Sequence, residues 1–391
     1  MESAREWQHC TVATSIIVEP IGLSAPYVDQ TEEQLVLEVL RSGRLAFGPM
    51  IEQFEKALAE RVGAPYAAAV SSGTAGLHLC MKLAGVAPGD EVVTTPLSFI
   101  ASANAIVYEG GVPVFVDVDE ATLNLDPAAV EAAITPRTKA LVLVDLFGYP
   151  LDMDRFQEIA ARHGVAVVED ACEALGSTYR GRQVGSFGNP AVFAFYPNKQ
   201  VTTGEGGAVV LANEDDWALV KSLANQGRTD RGETFSHDRI GYNYRLDELS
   251  AALGVAQLRK LDRILALRDE VAARYDALLA DVEGIHRLCP DDDVHRRSWF
   301  VYVVFVEPPA DRSAVMARLT AEGIASKPYL PAIHLQPAYR DRFGFASGMF
   351  PVAEAAGDQG LALPFHTGLT ASDQERVVGA LVRALKASAH G

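Results

Sequence analysis

The sequence contains few cysteines and no long apolar run. Its 391 residues include four cysteines, far apart and without a C-x-x-C pair: Cys10, Cys80, Cys172 and Cys289. This spacing predicts neither a zinc cage nor a disulfide framework, so we expect reduced thiols. No stretch approaches the ~20 apolar residues of a membrane-spanning helix, and the first twenty residues lack a signal-peptide core. These absences predict a cytoplasmic protein.

Positive charge is also scarce. Lys and Arg total 34 against 51 Asp and Glu, which gives a net charge of −17. Clusters of basic side chains are what binds nucleic acids and anionic membrane surfaces. The sequence therefore predicts no nucleic-acid partner and no membrane partner. It also lacks a G-x-G-x-x-G motif after a strand and a Walker A motif, so neither a dinucleotide site nor a nucleoside triphosphate site is predicted.

Apolar side chains are abundant and arranged for a layered α/β structure. Hydrophobic residues make up 49% of the chain, and between about residues 45 and 212 short β-rich runs alternate with helical patterns. Such alternation is typical of helices packed around a mostly parallel sheet. Asp126 and Asp152 are expected to begin helices, and Gly164 to end one. We predict strands at 66–70, 91–94, 112–118, 139–144, 165–169, 192–196 and 207–211, and helices at 74–83, 102–108, 126–134 and 153–163.

The pattern changes after Leu246. Apolar residues at three- and four-residue spacing predict one long helix over 247–279. A smaller α+β unit follows, with a strand over 299–306 and helices over 312–322 and 372–388. We therefore predict an amino-terminal extension at 1–20, a large α/β domain at 21–255 and a small carboxyl-terminal α+β domain at 256–391.

Three segments of the large domain carry candidate chemistry. After the strand at 66–70, Ser71-Ser-Gly-Thr-Ala75 leads into a helix, and the backbone N–H groups of such a junction can bind a phosphate. Asp170 follows an apolar strand, at the edge where open α/β sheets bind ligands. Lys199 lies on a turn between two core strands, where lost hydration would free its amine to attack carbonyls. The alternatives are a plain strand–turn–helix, a helix-capping aspartate and a surface lysine.

Taken together, these are the parts that a pyridoxal phosphate enzyme needs. The helix start would hold the phosphate, the carboxylate would keep the pyridine nitrogen protonated, and the lysine would form the Schiff base. The residues thus favour pyridoxal 5'-phosphate as the cofactor over a bare structural role.

Four motifs extend this pattern along the chain, and in their order and spacing they resemble one family. The chain is similar, from about residue 21 to 385, to the DegT/DnrJ/StrS group of pyridoxal-phosphate sugar aminotransferases, in its perosamine-synthase-like branch. The resemblance implies the fold-type I transferase architecture. The motifs are Ser71-Ser-Gly-Thr-Ala75, Glu169-Asp-Ala-Cys-Glu-Ala-Leu-Gly176, Asn198-Lys-Gln-Val-Thr-Thr-Gly-Glu-Gly-Gly207 and Gly241-Tyr-Asn-Tyr-Arg245.

The resemblance also implies site residues. Lys199 is the Schiff-base lysine, and Asp170 pairs with the ring nitrogen of the cofactor. Phe99 stacks on the ring, and Asn243 reaches the cofactor phosphate of a neighbouring subunit, which implies a homodimer with shared active sites. Gly73, Thr74 and Ala75 hold the chain's own cofactor phosphate.

Two positions depart from the commoner pattern of the family. Many members have Gln where this chain has Glu173, near the ring hydroxyl of the cofactor. Five residues before the lysine, where a phosphate-binding Ser is frequent, this chain has Ala194. One phosphate hydrogen bond is then missing or supplied from elsewhere.

The implied reaction is a ping-pong transamination. An amino acid donor, expected to be L-glutamate, gives its amine to the cofactor, and a keto-sugar attached to a nucleotide then takes it. Lys199 is expected to move the proton at the substrate carbon. Candidate substrate contacts are Phe47, Arg228, Lys327 and His334, each of which has an equally plain structural interpretation.

Other functions on the same fold stay open. A keto-cyclitol or another keto-polyol is the alternative acceptor. A sugar dehydratase is disfavoured because such relatives carry His at the lysine position, and a non-enzymatic regulator is disfavoured because Lys199, Asp170 and the phosphate loop are all present. The particular sugar, the carbon and the stereochemistry do not follow from the sequence.

Overall fold

The computed structural model describes residues 19–229 and 236–388. Its helices are α1 (Gln30–Ser42), α2 (Pro49–Val62), α3 (Gly73–Leu83), α4 (Ala101–Tyr108), α5 (Pro127–Ala133), α6 (Met153–His163), α7 (Glu214–Ala224), α8 (Glu248–Arg259), α9 (Leu261–Leu278), α10 (Arg312–Ala321), α11 (Pro337–Phe343), α12 (Pro351–Gln359) and α13 (Ala371–Ser388). Its strands are β1 (Tyr66–Val70), β2 (Glu91–Thr94), β3 (Val112–Phe115), β4 (Thr138–Val144), β5 (Ala166–Asp170), β6 (Thr178–Tyr179), β7 (Arg182–Gln183), β8 (Ala191–Ala194), β9 (Gly207–Leu211), β10 (Ile285–Arg287), β11 (His295–Arg296), β12 (Tyr302–Val306), β13 (Lys327–Pro328) and β14 (Gly360–Leu363).

The central sheet has seven strands in the order β1-β9-β8-β5-β4-β2-β3. Strand β9 runs antiparallel to β1 and β8, and the other neighbouring pairs are parallel. Alternate residues of β4 enter different cores, Leu141 and Leu143 on one face and Ala140 and Val142 on the other. Both faces are therefore covered, as a sheet of this kind requires. The predicted mostly parallel α/β sheet is confirmed.

Local capping explains several helix boundaries. The side chains of Asp126 and Asp152 accept hydrogen bonds from the backbone N–H groups of Ala129 and Arg155. Gly164 ends α6 with a φ of 67°, a left-handed conformation that glycine adopts without strain. These three predictions are confirmed. The predicted strand over 112–118 is too long, since β3 ends at Phe115.

A four-stranded antiparallel sheet, β10-β12-β14-β13, forms the carboxyl-terminal unit. It shares a hydrophobic core with α9 and α13, to which Val271, Tyr275 and Leu381 belong. The single helix predicted over 247–279 is wrong: it is two helices that meet at Lys260. The backbone of Lys260 leaves the helical conformation, with φ −107° and ψ 4°, while its ammonium group pairs with Asp29 and Glu32.

The predicted domain boundary at residue 255 falls inside α8, and residues 1–18 of the predicted extension lie outside the described residues. The division into three parts stays a prediction. Within the described ranges, no helix combines the length and the apolar character that crossing a bilayer requires.

Candidate active site

Lys199 lies on the turn between β8 and β9, close to the carboxyl ends of the parallel strands. Its Nζ atom is 3.5 Å from Oε1 of Glu173 and 3.9 Å from the centroid of the Phe300 ring. Only 13% of the lysine side chain is exposed. The amine therefore sits between one carboxylate and one aromatic face, an environment that stabilises a cation while excluding most of the surrounding water.

Glu173 is fixed by its second oxygen. Oε2 accepts a 2.9 Å hydrogen bond from the backbone N–H of Phe147, which leaves Oε1 to face Lys199. Burial raises the pKa of Glu173 above its ordinary value, and the charge of Lys199 opposes that rise. Phe147 itself has a φ of 54°, a sparsely populated conformation for a bulky residue that aims its N–H at the carboxylate.

Asp170 ends β5 and is 4% exposed. Its Oδ2 accepts a 2.6 Å hydrogen bond from the hydroxyl of Ser102, and its Oδ1 accepts one of 3.3 Å from the N–H of Cys172. A carboxylate this deeply buried needs a cation or several donors nearby. Two neutral donors leave it room for a cationic partner, and a protonated pyridine nitrogen is such a group.

The start of α3 is shaped to receive a phosphate. Ser72 caps the helix by accepting a hydrogen bond from the N–H of Ala75. A Cβ atom on Gly73 would lie 2.8 Å from Cβ of Ala194, and one on Gly207 would lie 2.5 Å from the carbonyl carbon of Ser72. Side chains are thus excluded at Gly73 and Gly207, so the backbone there can approach an anion closely. The residues present fit pyridoxal phosphate.

Comparison with known proteins decides the family. Residues 26–382 match the DegT/DnrJ/EryC1/StrS aminotransferase family. The chain belongs to this family. GDP-perosamine synthase of Caulobacter vibrioides is 40% identical over 368 residues, which cover 93% of this chain and 98% of that protein.

Solved structures of relatives agree with this assignment. DesV of S. venezuelae has a TM-score of 0.88 and 35% identity, with 94% of this chain and 99% of that chain covered. Spr1654 of Streptococcus pneumoniae, solved in its PLP form, has a TM-score of 0.89 and 28% identity, with 94% and 99% covered. The predicted enzyme class, an aminotransferase, is confirmed.

Two buried acidic residues, Asp145 and Glu169, lie next to Asp170 in the sheet of this aminotransferase. The side chains of Asp145 and Glu169 are fully buried, and they lie close enough for the charge of Glu169 to act on Asp145. Burial raises the pKa of Glu169 to about 7, and burial together with the charge of Glu169 raises the pKa of Asp145. Burial and the repulsion between two such carboxylates both favour the protonated form. The N–H of Asp145 donates to the carbonyl of Asp170, which ties the pair to the strand end.

Apart from His334, the other predicted site residues are exposed or half-buried. Phe99 is 60% exposed and precedes α4, and Asn243 is exposed. Phe47 and Arg228 line one cavity of about 580 Å³. Lys327 is exposed at the start of β13.

His334 is a correction. Its side chain has no exposed surface, and its Nε2 atom lies 3.0 Å from Oε1 of Glu354. The ring packs edge-on against Phe350, with 4.7 Å between the two centroids. A side chain without accessible surface cannot contact a substrate, so the predicted substrate role of His334 is wrong.

Two site residues from the carboxyl-terminal unit were not predicted. Phe300 covers Lys199, and Tyr329 packs against the rings of Phe147 and Phe300 with centroid distances of 5.8 and 6.0 Å. The contacts of both residues join segments that are far apart in the sequence. The only signal in the sequence was the apolar strand that begins beside Phe300 and the aromatic residue two positions after Lys327.

Proposed function

We propose that the protein is a pyridoxal-phosphate-dependent aminotransferase that transfers an amino group from L-glutamate to a keto group of a nucleotide-linked deoxysugar. The observation that carries the proposal is the position of Lys199, shielded from water between Glu173 and Phe300, on the same sheet edge as Asp170. The sugar-nucleotide acceptor is supported by the similarity to GDP-perosamine synthase over nearly the whole chain.

Each residue has a defined task in this proposal. Gly73, Thr74 and Ala75 hold the phosphate at the start of α3, and Phe99 lies along the ring. Asp170 keeps the ring nitrogen protonated. When bound, the cofactor supplies an electron sink that stabilises negative charge at the substrate carbon. Lys199 anchors the cofactor, and its released amine takes the proton from the substrate carbon and later returns it.

We further propose that the enzyme is a homodimer with shared active sites. Asn243 is exposed in the single chain, although the backbone on either side of it is hydrogen-bonded to α7 and to Ser71, the residue after β1. A polar side chain on a rigid, outward-facing segment is suited to contact a second copy of the chain. Asn243 would then bind the cofactor phosphate of the neighbouring subunit.

The first experiment tests the lysine. Lys199→Ala is expected to abolish both half-reactions and the visible absorbance of the lysine-bound cofactor. Lys56→Ala is the control, because Lys56 pairs with a glutamate, Glu60, at an exposed position of α2. Visible absorbance that persists unchanged in Lys199→Ala would refute the assignment.

The second experiment tests the acceptor. Enzyme loaded with pyridoxamine phosphate is mixed separately with keto-sugar nucleotides, with keto-cyclitols and with 2-oxoglutarate, and the return of visible absorbance is recorded. A nucleotide-linked keto-sugar should restore it fastest. Restoration by a keto-cyclitol alone, or by 2-oxoglutarate alone, would overturn the substrate class and leave the enzyme class intact.

A further inference from the structure

Four side chains form a polar and aromatic cluster on the second turn of α3, which we call the α3 clamp. They are His78, Glu109, Tyr242 and Tyr244. Nε2 of His78 donates to Oε1 of Glu109 over 2.7 Å, and Nδ1 lies 3.0 Å from the hydroxyl of Tyr244. The hydroxyl of Tyr242 donates to the same glutamate oxygen over 3.2 Å. Both tyrosines of the Gly241–Arg245 motif are therefore held by one histidine–glutamate pair.

Aromatic packing reinforces these hydrogen bonds. The rings of Tyr242 and Tyr244 are stacked, with centroids 5.0 Å apart and planes at 8°. The His78 ring lies 4.7 Å from the ring of Tyr242 and 5.8 Å from that of Tyr244. The His78 side chain is 6% exposed and that of Glu109 is 11% exposed. The contacts are thus largely shielded from water, where hydrogen bonds to a charged group contribute most.

Glu109 is ionised in this setting. Burial works against its charge, but hydrogen bonds from Lys82 and His78 hold its pKa below the ordinary value. The ammonium of Lys82 lies 2.9 Å from Oε2. One carboxylate therefore receives three donors and acts as the anchor of the clamp.

The backbone of the motif is also fixed. Tyr242 and Tyr244 donate their N–H groups to the carbonyls of Leu223 and Ala224 at the end of α7, and the carbonyl of Tyr244 accepts from Ser71. In an extended segment neighbouring side chains point to opposite sides. Because Tyr242 and Tyr244 face α3, the side chain between them, Asn243, faces away and is exposed.

We propose that His78 and Glu109 are positioning residues that hold Asn243 in the orientation needed for the active site of the second subunit. The inference rests on the proposed shared-site homodimer. It adds a physical link, since the helix that begins at the phosphate cradle, Gly73 to Ala75, carries the clamp on its next turn. Each chain would connect its own phosphate site to the residue that it lends to its partner.

Mixed dimers test this proposal. One chain carries Asn243→Ala and the other Lys199→Ala, so a shared-site dimer has a single working site. That site combines Lys199 of the first chain with Asn243 of the second. Glu109→Gln is then added either to the chain that lends Asn243 or to the chain that supplies Lys199. The measurement is the rate at which visible absorbance is lost when an excess of an aldehyde trap removes free cofactor.

The proposal predicts an asymmetric result. Glu109→Gln on the chain that lends Asn243 should speed cofactor loss about tenfold, as expected for a lost hydrogen bond to a charged group. On the chain that supplies Lys199 it should change the rate less than twofold. An equal effect from both placements, an effect from the lysine chain alone, or no effect from either would overturn the proposal.

Controls separate this outcome from a folding defect and from failure of the proposed dimer. Glu131→Gln is the matched control, because Glu131 also pairs with one histidine and one basic residue, His163 and Arg162, far from the clamp. If Glu109→Gln does not fold, Tyr242→Phe removes a single donor and should show the same asymmetry at about threefold. If the parent mixed dimer retains cofactor no better than the Asn243→Ala homodimer, the shared site itself is refuted.

Discussion

The guanidinium group of Arg268 donates a 3.0 Å hydrogen bond to the backbone carbonyl of Lys199. The same group donates to the carbonyls of Trp299 and Phe300, at 3.3 and 3.2 Å. Arg268 belongs to α9 and is 2% exposed. One buried cation thus joins the turn that carries Lys199 to the segment that carries Phe300, and so fixes the two sides of the lysine environment relative to each other.

Arg268→Lys should therefore destabilise the apoenzyme by about 1–3 kcal/mol. A single ammonium cannot reach three carbonyls, and each buried carbonyl left without a donor costs free energy. Burial already lowers the pKa of Arg268 to about 10, and a lysine there would tend to lose its charge. Urea unfolding measures the change. Arg263→Lys, an exposed position of the same helix, should leave the unfolding midpoint within error; an equal loss at both positions would contradict the argument.

Phe300→Leu removes an aromatic face from Lys199 while keeping an apolar side chain. The apoenzyme should lose about 0.5–1 kcal/mol beyond the packing change, the usual contribution of a cation over a ring. This extra loss should become smaller when cofactor is bound, because positive charge on the Lys199 nitrogen is then shared with the conjugated ring of the cofactor. Thermal unfolding with and without cofactor measures the difference. Phe343→Leu removes the ring under Arg342 and should show no dependence on cofactor.

Glu173→Gln replaces the carboxylate 3.5 Å from Lys199 by a neutral amide. An anion at this distance favours positive charge on the lysine nitrogen, so its removal should move the midpoint of the pH titration of visible absorbance to lower pH. A shift of about one unit corresponds to ~1.4 kcal/mol. Glu60→Gln, at a surface pair with Lys56, should leave the midpoint in place. An unchanged midpoint in Glu173→Gln would show that residue 173 is uncharged in the loaded enzyme.

The Asp145–Glu169 pair makes stability depend on pH. Between the ordinary carboxyl value, 4.5, and the raised pKa of Glu169, about 7, the folded protein keeps a proton that the unfolded chain has lost. The free energy of unfolding should therefore fall as pH rises through this window. Glu169→Gln removes one of the two acids and should make the fall shallower. Urea unfolding from pH 5 to pH 8 measures the slope, with Glu131→Gln as a control whose slope should match the wild type.

Features that depend on neighbouring residues in the chain were predictable, and those that depend on distant ones were not. Asp126, Asp152 and Gly164 mark helix ends because capping is a local interaction. Lys260 interrupts a periodic helical pattern, and its ion-pair partners, Asp29 and Glu32, lie more than two hundred residues away in sequence. Some local signals were missed: the helices α1, α2, α7, α11 and α12 were not predicted, although a capping box of Asp29 and Glu32 begins α1.

The site shows the same division between local and distant interactions. Asp170 and the start of α3 follow from strand ends and small residues, which are visible in the sequence. The contacts of Phe300 and Arg268 with the lysine turn arise from the carboxyl-terminal half of the chain. The burial of His334 depends on Glu354 and Phe350, and spacing alone cannot distinguish such a histidine from a substrate ligand.

The antiparallel pairing of β8 and β9 has a consequence for how the protein assembles. These strands are consecutive and adjacent, so Lys199 sits on the only hairpin of the seven-stranded sheet. Closing a hairpin costs little chain entropy, whereas each parallel pair must wait for a longer crossover connection. We expect the lysine turn to form early during folding, before Asp170 and the start of α3 reach their positions beside it. Cofactor binding should therefore be one of the last steps in the maturation of a newly synthesised chain.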